Sequence, residues 1–518
     1  MKKTTIILIS ILSLSFFLIS GILQNYLVYS SLRKMDVDKA SSRSKTAIIL
    51  PRILNLLSFK QIEILKFWDF SMQQLPTINE VQKDLKTYVE QTANNESIDG
   101  ELPKKIITNL EKINSELNKI DLKQLKEIKS IANDSLIIIK KVLNENQNYL
   151  VLLQNSDEIR ATGGFFGSFF ILETKNGQIT PIKIQDIYVP DGQFKGFLEA
   201  PKGLNEYLSS GKGMRLPDSN WWPNFPDSAE QTLFFFKEIE KKDYQGVIAV
   251  NLDVIEELLD LTGEIYLPDY EKSVNKNNFA EIAREDRVNF FPGSQEKTNF
   301  LNHFLKIFKP ELIKSIKENP QKSIALIQKL ITNKDLQFYS RDKEIQEIIN
   351  NRKADGIMKN TDRGLYYFLV ESNVGINKAN RLVDRQVVID INNDQEKIII
   401  NFQNNNQFPY VNYQRLYTNE NTKIINIKID GQEINNIDQR MMTTKSGDRW
   451  QEIGFLVSVL AKNHNNVEIN LKSQLEALQK KKVFIQKQSG LEEVNYLINY
   501  QNQSKSIELD SDQSVNFD

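Results

Sequence analysis

The run from Thr4 to Leu23 carries no charged side chain, and it constrains the start of the chain more tightly than any other feature. Lys2 and Lys3 precede it, and no charge follows until Arg33. A helix rises about 1.5 Å per residue, so about 20 apolar residues cross a bilayer core of roughly 30 Å. Tyr26 and Tyr29 fall where interfacial aromatics belong. A cleaved signal peptide has a shorter apolar region and a small-residue cleavage site, whereas Ser20 and Gly21 lie inside this run. A retained transmembrane anchor is expected over residues 1–30. Arg33 and Lys34 balance Lys2 and Lys3, but long domains translocate largely regardless of flanking charge. The expected location is the cell membrane, single-pass, with the bulk of the chain extracytoplasmic.

The remaining composition excludes several kinds of chemistry. Basic and acidic residues number 66 and 67, for a net charge of -1, so nothing draws the chain as a whole to nucleic acid. Cysteine is absent, which removes disulfides, thiolate metal sites and a cysteine nucleophile. The two histidines, His303 and His464, stand far apart, a poor basis for a Ser-His-Asp triad or a histidine zinc site. Chemistry must run on carboxylates, arginines, lysines and hydroxyls.

Texture divides the 518 residues. Over residues 31–148 the pattern is helical: Ile106, Leu110, Ile113, Leu117 and Ile120 follow steps of four and three, one buried stripe. Leu54 to Trp68 suggests an earlier helix, broken near Pro76. A helical bundle or coiled-coil stalk follows from this. Strand texture begins at Tyr149–Gln154, Phe165–Glu173 and Gln178–Gln185, with Asn176-Gly177 as a hairpin signal. Gln245–Val250 reads as a strand, Asn251 as the cap of a helix ending at Gly263, and Leu301–Ile331 as helix interrupted near Pro310 and Pro320. Residues 149–350 thus read as an α/β domain. Over residues 365–503 short strands recur between Asn- and Gly-rich turns, the mark of a β-sandwich. Residues 504–518 read as a loose acidic tail. The fold class expected is multidomain α+β: transmembrane helix and helical stalk, central α/β domain, C-terminal antiparallel β-sandwich.

Candidate chemistry lies in the middle domain. Gln154 to Phe165 holds Arg160, Thr162, Gly163 and Gly164, where exposed amides could hold an anion; a tight bend before a strand is the plainer reading. Asp186, Asp191, Asp218 and Asp227 fall on loops, and oxygen donors at strand ends suit Mg²⁺. Aspartate is also common in turns, and Asp227 looks like an N-cap. Trp221-Trp222 is either a lid or a packed loop. Arg284 and Arg287, three apart, share one helical face.

These residues carry a resemblance. Tyr149 to Asn155, Glu158, Arg160, Ala161-Thr162-Gly163-Gly164-Phe165 and Gly167 resemble the opening of the bacterial domain-of-unknown-function family 4012. Asp218-Ser219-Asn220, Phe225 to Ala229, Gly246 to Val250 and Leu258-Leu259 with Thr262-Gly263 fit it too, and Gln486 to Gly490 resembles its late strand and turn. That family is similar, more distantly, to the LytR-CpsA-Psr proteins. Those are membrane-anchored enzymes that move glycopolymers from polyprenyl-pyrophosphate carriers to the cell wall. The resemblance implies an α/β fold of that type. It implies a pyrophosphate site at Arg160, Thr162, Gly163, Gly164, Arg215, Arg284 and Arg287, with Asp186, Asp191 and Asp218 as catalytic carboxylates and Mg²⁺ on Asp186 and Asp191. The chain departs from the pattern at Val189-Pro190-Asp191, where no arginine precedes the aspartate, and at Ser294 to Lys297.

Two functions follow as expectations. One is binding of a polyprenyl-pyrophosphate-linked glycan and its transfer to a wall or surface acceptor. The other is a non-catalytic envelope scaffold or adhesion protein that binds surface polymers or partner proteins.

Overall fold

The computed structural model describes residues 28, 37–57, 63–93, 96–175, 177–285, 296–359, 364–473 and 475–518. The expected anchor falls almost wholly outside them; among the described residues no helix is long and apolar enough to cross a membrane. The chain divides into two compact units, Met1–Gln147 with Glu173–Pro181, and Asn148–Leu172 with Ile182–Asp518.

The first unit is built on helices α1 (Val37–Ala47), α2 (Ile49–Leu57), α3 (Glu63–Ala93), α4 (Glu101–Asn118) and α5 (Lys126–Asn144). The Ile106–Ile120 stripe is the seam of α4, with Ile106 and Leu117 buried. Tyr88, Ile106, Ile107 and Leu143 join three of these helices in one cluster. The break expected at Pro76 does not occur, for α3 runs 31 residues through it. Proline removes one amide and crowds one carbonyl, and buried Met72, Leu75 and Val81 hold both flanks in place. The hairpin also belongs here: Thr174 pairs with Ile179 and Lys175 with Gln178. Gly177 takes φ +73°, and the Tyr88 hydroxyl donates to its carbonyl at 2.6 Å. Asn176 lies outside the described residues.

In the second unit, β1 (Gln147–Asn155) and β5 (Gly246–Asn251) are parallel, in register from Tyr149–Gly246 to Gln154–Asn251. β8 (Leu336–Ser340) lies antiparallel beyond β5, and β2 (Phe165–Lys175) then β4 (Gln185–Asp186) lie on the other side. Alternation along the strands sends Leu150, Leu152, Phe169, Val247 and Ala249 to one face, against Phe235 and Phe236 of α7 (Phe225–Glu240) and Trp221. Leu153, Ser168, Phe170 and Val250 look toward α8 (Leu252–Thr262), α9 (Phe279–Glu285) and α10 (Glu296–Glu318). α10 continues through Pro310, whereas Pro320 opens α11 (Pro320–Thr332), where its missing amide is not needed. Asn224, not Asp227, caps α7, and its amide donates to Asp227 Oδ2 at 2.8 Å.

From Leu365 the chain builds two further sheets. One runs β14 (Gln432–Glu433), β13 (Lys423–Ile429), β17 (His464–Lys472), β11 (Gln395–Asn404), β10 (Val383–Asn392), β19 (Val494–Tyr500), β20 (Gln503–Leu509). The other runs β15 (Asp438–Thr443), β16 (Arg449–Val459), β12 (Tyr410–Asn419), β9 (Leu365–Asn373), β18 (Lys482–Ile485), β21 (Gln513–Asn516). Residues of both, among them Tyr367, Ile389, Ile400, Leu416, Val457 and Val483, share one core. The sheets are mixed, not antiparallel: β10 pairs with β19 and β9 with β18 in parallel. Late strands return beside early ones by long crossovers, which parallel pairing requires. The loose tail is corrected as well. β20 pairs with β19 and β21 with β18, and Asp512 accepts ion pairs from Lys334 at 2.6 Å and Lys359 at 2.5 Å.

One ion pair fixes α7 to the end of β8. Arg341 reaches both oxygens of Glu230, at 2.9 and 2.7 Å, and the Tyr339 hydroxyl adds a bond of 2.6 Å. The Arg341 hydrogen bonds outweigh desolvation and draw the Glu230 carboxyl down to about 2 from 4.5. A carboxylate whose folded pKa is depressed stabilises the fold above its unfolded pKa and loses that contribution as pH falls through the folded one. Thermal melts of wild type and Glu230→Gln should differ most above pH 4.5 and converge toward pH about 2. An unchanging gap over that window would remove the ion pair from the stability of this unit.

Candidate functional site

The glycine pair sits in a loop stitched down by amides. Thr162 is buried; its hydroxyl bonds Gln154 Oε1 at 2.7 Å, and its carbonyl accepts from Gln154 Nε2 at 2.9 Å and Gln337 Nε2 at 2.8 Å. Gly163 has φ +134°, and a Cβ there would lie 2.2 Å from Asn251 Oδ1 and 2.7 Å from Ser489 Oγ. A Cβ on Gly164 would lie 2.2 Å from the Asn155 carbonyl. The loop that holds Thr162, Gly163 and Gly164, expected as anion-binding residues, is a packed bend. Asn251 makes no side-chain cap on α8, because its Oδ1 accepts from Gln154 Nε2 at 3.0 Å and its Nδ2 donates to Asp335 Oδ1 at 3.2 Å and Ser489 Oγ at 2.9 Å.

Beside this loop several of the expected charges do meet. Arg160 is 3% exposed; its guanidinium donates to the Asn373 carbonyl and, at 3.0 Å, to Glu158 Oε1. Arg215 holds both oxygens of Asp191, at 3.1 Å each at closest, and the Leu216 amide adds a bond of 3.0 Å to Oδ1. Asp186, at the end of β4, accepts from the Tyr188 amide at 2.8 Å. Asp218 is half-buried between these groups, and its carboxylate makes no hydrogen bond within the described residues. Desolvation pushes that carboxyl up to about 6; Arg160 and Arg215 oppose the rise, and Asp191 and Glu158 add to it. Burial, then the charges of Glu158, Asp218, Asp186 and Asp191, lift the Tyr188 hydroxyl to about 12. A half-buried carboxylate poised near neutrality is the usual state of a general base.

Mg²⁺ was expected on Asp186 and Asp191. Both oxygens of Asp191 are engaged by Arg215, and among the described residues no group of three His, Asp or Glu is placed to hold a metal ion. Arg284 is in α9 with its side chain outside the description, and Arg287 lies outside it entirely.

An apolar cavity of about 160 Å³ lies at the C-terminal ends of β1 and β5. Leu153, Val250, Ile255, Phe279, Phe304 and Phe308 form its walls. The open ends of parallel strands are where α/β sheets take ligands. Ser168 also lines it, fully buried, with a hydroxyl that has no partner among the described residues. Ser168 is paired across the sheet with Asp186, which puts both side chains on one face.

Comparison with known proteins bears on this region. Residues 144–287 match the family model described as protein of unknown function (DUF4012). This stretch is a DUF4012 domain. No curated protein sequence matches the chain. Among solved structures, one from Legionella pneumophila subsp. pneumophila, provisionally described as a nutrient binding protein, aligns at 6% identity and TM-score 0.20. The alignment covers 26% of this chain and 54% of that one.

The DUF4012 domain contains Arg160, Asp186, Asp191, Arg215 and Asp218, but the cavity needs Phe304 and Phe308 from beyond it. Sequence reasoning took α10 only as helix; its signal was Phe300, Phe304 and Phe308 at steps of four. Trp221 proves a packed residue, stacked on Tyr413 at 5.7 Å with the Arg415 guanidinium 4.5 Å from its ring centroid.

The bend makes its own prediction. Gly163→Ala forces a Cβ into Asn251 at a φ that L-residues avoid, and should cost about 2–4 kcal/mol in denaturant unfolding. A loss under about 0.5 kcal/mol, the range of an ordinary surface change, would mean the loop is loose enough to open for a ligand.

Proposed function

We propose that this chain is a membrane-anchored envelope protein, extracytoplasmic in its bulk, that binds a lipid-linked glycan with the lipid's apolar chain in the β1–β5 cavity. The cavity carries this reading: apolar walls, a buried unpartnered hydroxyl and a polar rim suit an amphiphile better than a free sugar or an ion. The uncharged N-terminal run and the distant resemblance to LytR-CpsA-Psr proteins support the same ligand class. With Glu158, Asp186, Asp191 and Asp218 against Arg160 and Arg215, the charged cluster of the same domain is net acidic when ionised. It therefore favours hydroxyls of the glycan over bare pyrophosphate, unless a cation accompanies the pyrophosphate. Full-length protein in lipid nanodiscs, titrated with a short-chain polyprenyl pyrophosphate and with the matching prenyl alcohol, with and without Mg²⁺, tests it. Saturable binding weakened at least about tenfold by Ala280→Trp, which fills the cavity, is expected. Equal affinity in a folded Ala280→Trp variant would move the ligand elsewhere.

A second reading, transfer of the glycan to a wall or surface acceptor, is favoured by Asp218. Its unbonded carboxylate is suited to take the proton of an attacking hydroxyl, while Arg160 and Arg215 stand near the developing charge. Transfer then requires Asp218 ionised, so the rate should fall as pH drops through about 6. Asp218→Asn should lower it by about 10²–10⁴ with binding retained. Unchanged turnover in that variant would leave the protein a binder only.

A further inference from the structure

One end of the two-sheet region has its polarity inverted. Asn404 and Asn406, on the turn between β11 and β12, are buried, and their amides bond the backbones of the surrounding loops. Asn404 Nδ2 donates to the carbonyls of Phe408 at 2.9 Å and Leu460 at 3.1 Å, and Asn406 Nδ2 to that of Ala379 at 2.9 Å. The Asn405 amide bonds the Leu382 carbonyl at 2.8 Å, and Asn377 Nδ2 that of Pro409 at 2.9 Å. The loops so tied present Ile376, Leu382, Phe408 and Leu460 outward, at 70, 53, 39 and 60% exposure. Polar groups lie inside and large apolar ones outside.

Ile376 sharpens the point. It has φ +52°, a conformation that a β-branched residue adopts only under constraint. Here the constraint serves to hold an isoleucine in solvent. Large apolar side chains exposed together on loops tied to one another are the kind of surface that marks an interaction site.

We propose that this crown docks on a lipid bilayer with anionic headgroups. Lys378 and Lys462 stand on the same loops, Lys462 donating to the Asn405 carbonyl at 2.6 Å, and the Asp384 carboxylate accepts from the Asn405 side chain at 2.8 Å. An apolar tip flanked by cations is the pattern of interfacial insertion. Lys378 also lines the apolar cavity, so docking brings the cavity to the surface from which a lipid chain is drawn. The inference rests on the proposed membrane location and not on what fills the cavity.

The chain has no cysteine, so Ile376→Cys and Leu460→Cys can each carry one environment-sensitive fluorophore, with exposed Ile425→Cys as the control. Full-length protein is reconstituted in phosphatidylcholine vesicles with or without phosphatidylglycerol, and with or without nitroxide-labelled acyl chains. Emission from positions 376 and 460 should shift to the blue and lose most of its intensity to the nitroxide lipid, more so with phosphatidylglycerol, while position 425 does neither. Unshifted, unquenched emission at both crown positions overturns the proposal. A blue shift without nitroxide quenching also overturns it, and shows the crown covered by protein, such as a second copy. Carbonate-resistant flotation reports the anchor separately, and prenyl-pyrophosphate titration of the same samples reports the cavity.

Discussion

The second unit depends on buried amides that have no water to fall back on. Gln488 donates to the carbonyls of Arg160 at 3.0 Å and Glu371 at 2.8 Å and accepts from the Glu371 amide at 2.7 Å. Ser489 takes the Asn251 amide and donates to the Lys334 carbonyl at 2.6 Å, and Gln486 donates to the Ile357 carbonyl at 2.8 Å. A buried polar group left unpaired costs about 1–3 kcal/mol. Each bond is therefore less a gain than an obligation, met only when the central mixed sheet and the later strands come together in one register. Gly163 and Gly490 are where the backbones touch: a Cβ on Gly490 would lie 1.8 Å from the Gly163 carbonyl.

That packing sets the chemistry beside it. Arg160 is held by the Asn373 carbonyl and Glu158, so its charge is fixed in place and cannot swing out to meet a ligand. Asp191 is likewise committed to Arg215. Asp218 is left as the carboxylate with nothing of its own to hold among the described residues, in a desolvated place between opposing charges. A site in which the cations are structural and one acid is poised favours proton transfer and hydroxyl recognition over the grip of a phosphate.

How far this was legible in the sequence follows the range of the interactions. The α4 stripe, the 174–179 hairpin and the β5–α8 unit rest on local periodicity and turn chemistry, and they occur where those signals lie. The convergence of Asp186, Asp191, Asp218, Arg160 and Arg215 could be anticipated only through the family pattern, since their loops are separated in sequence. What stayed hidden needed partners far away. Pro76 and Pro310 look like breaks until the burial of their flanks is known. The glycine pair reads as a tight bend from sequence, but that Asn251 and Ser489 pack against Gly163 is seen only in the fold. Residues 504–518 look loose on composition, although β20 forms a local hairpin with β19; only β21 needs a more distant partner, β18.

The span of the clasp has a kinetic meaning. Gln488 closes on Arg160 across 328 residues, and β19 lies parallel to β10 after an excursion of more than 100 residues, Gln386 against Asn495. Such contacts repay their loop-closure entropy only at the end, so a chain emerging N-terminus first passes a long interval with β1 and β5 formed but unclasped. In that interval the edges and apolar face of the sheet are open to wrong partners. A substitution at Gln488 removes bonds that close on Arg160, so its effect is felt in the domain that holds residue 160 rather than near its own place in the chain.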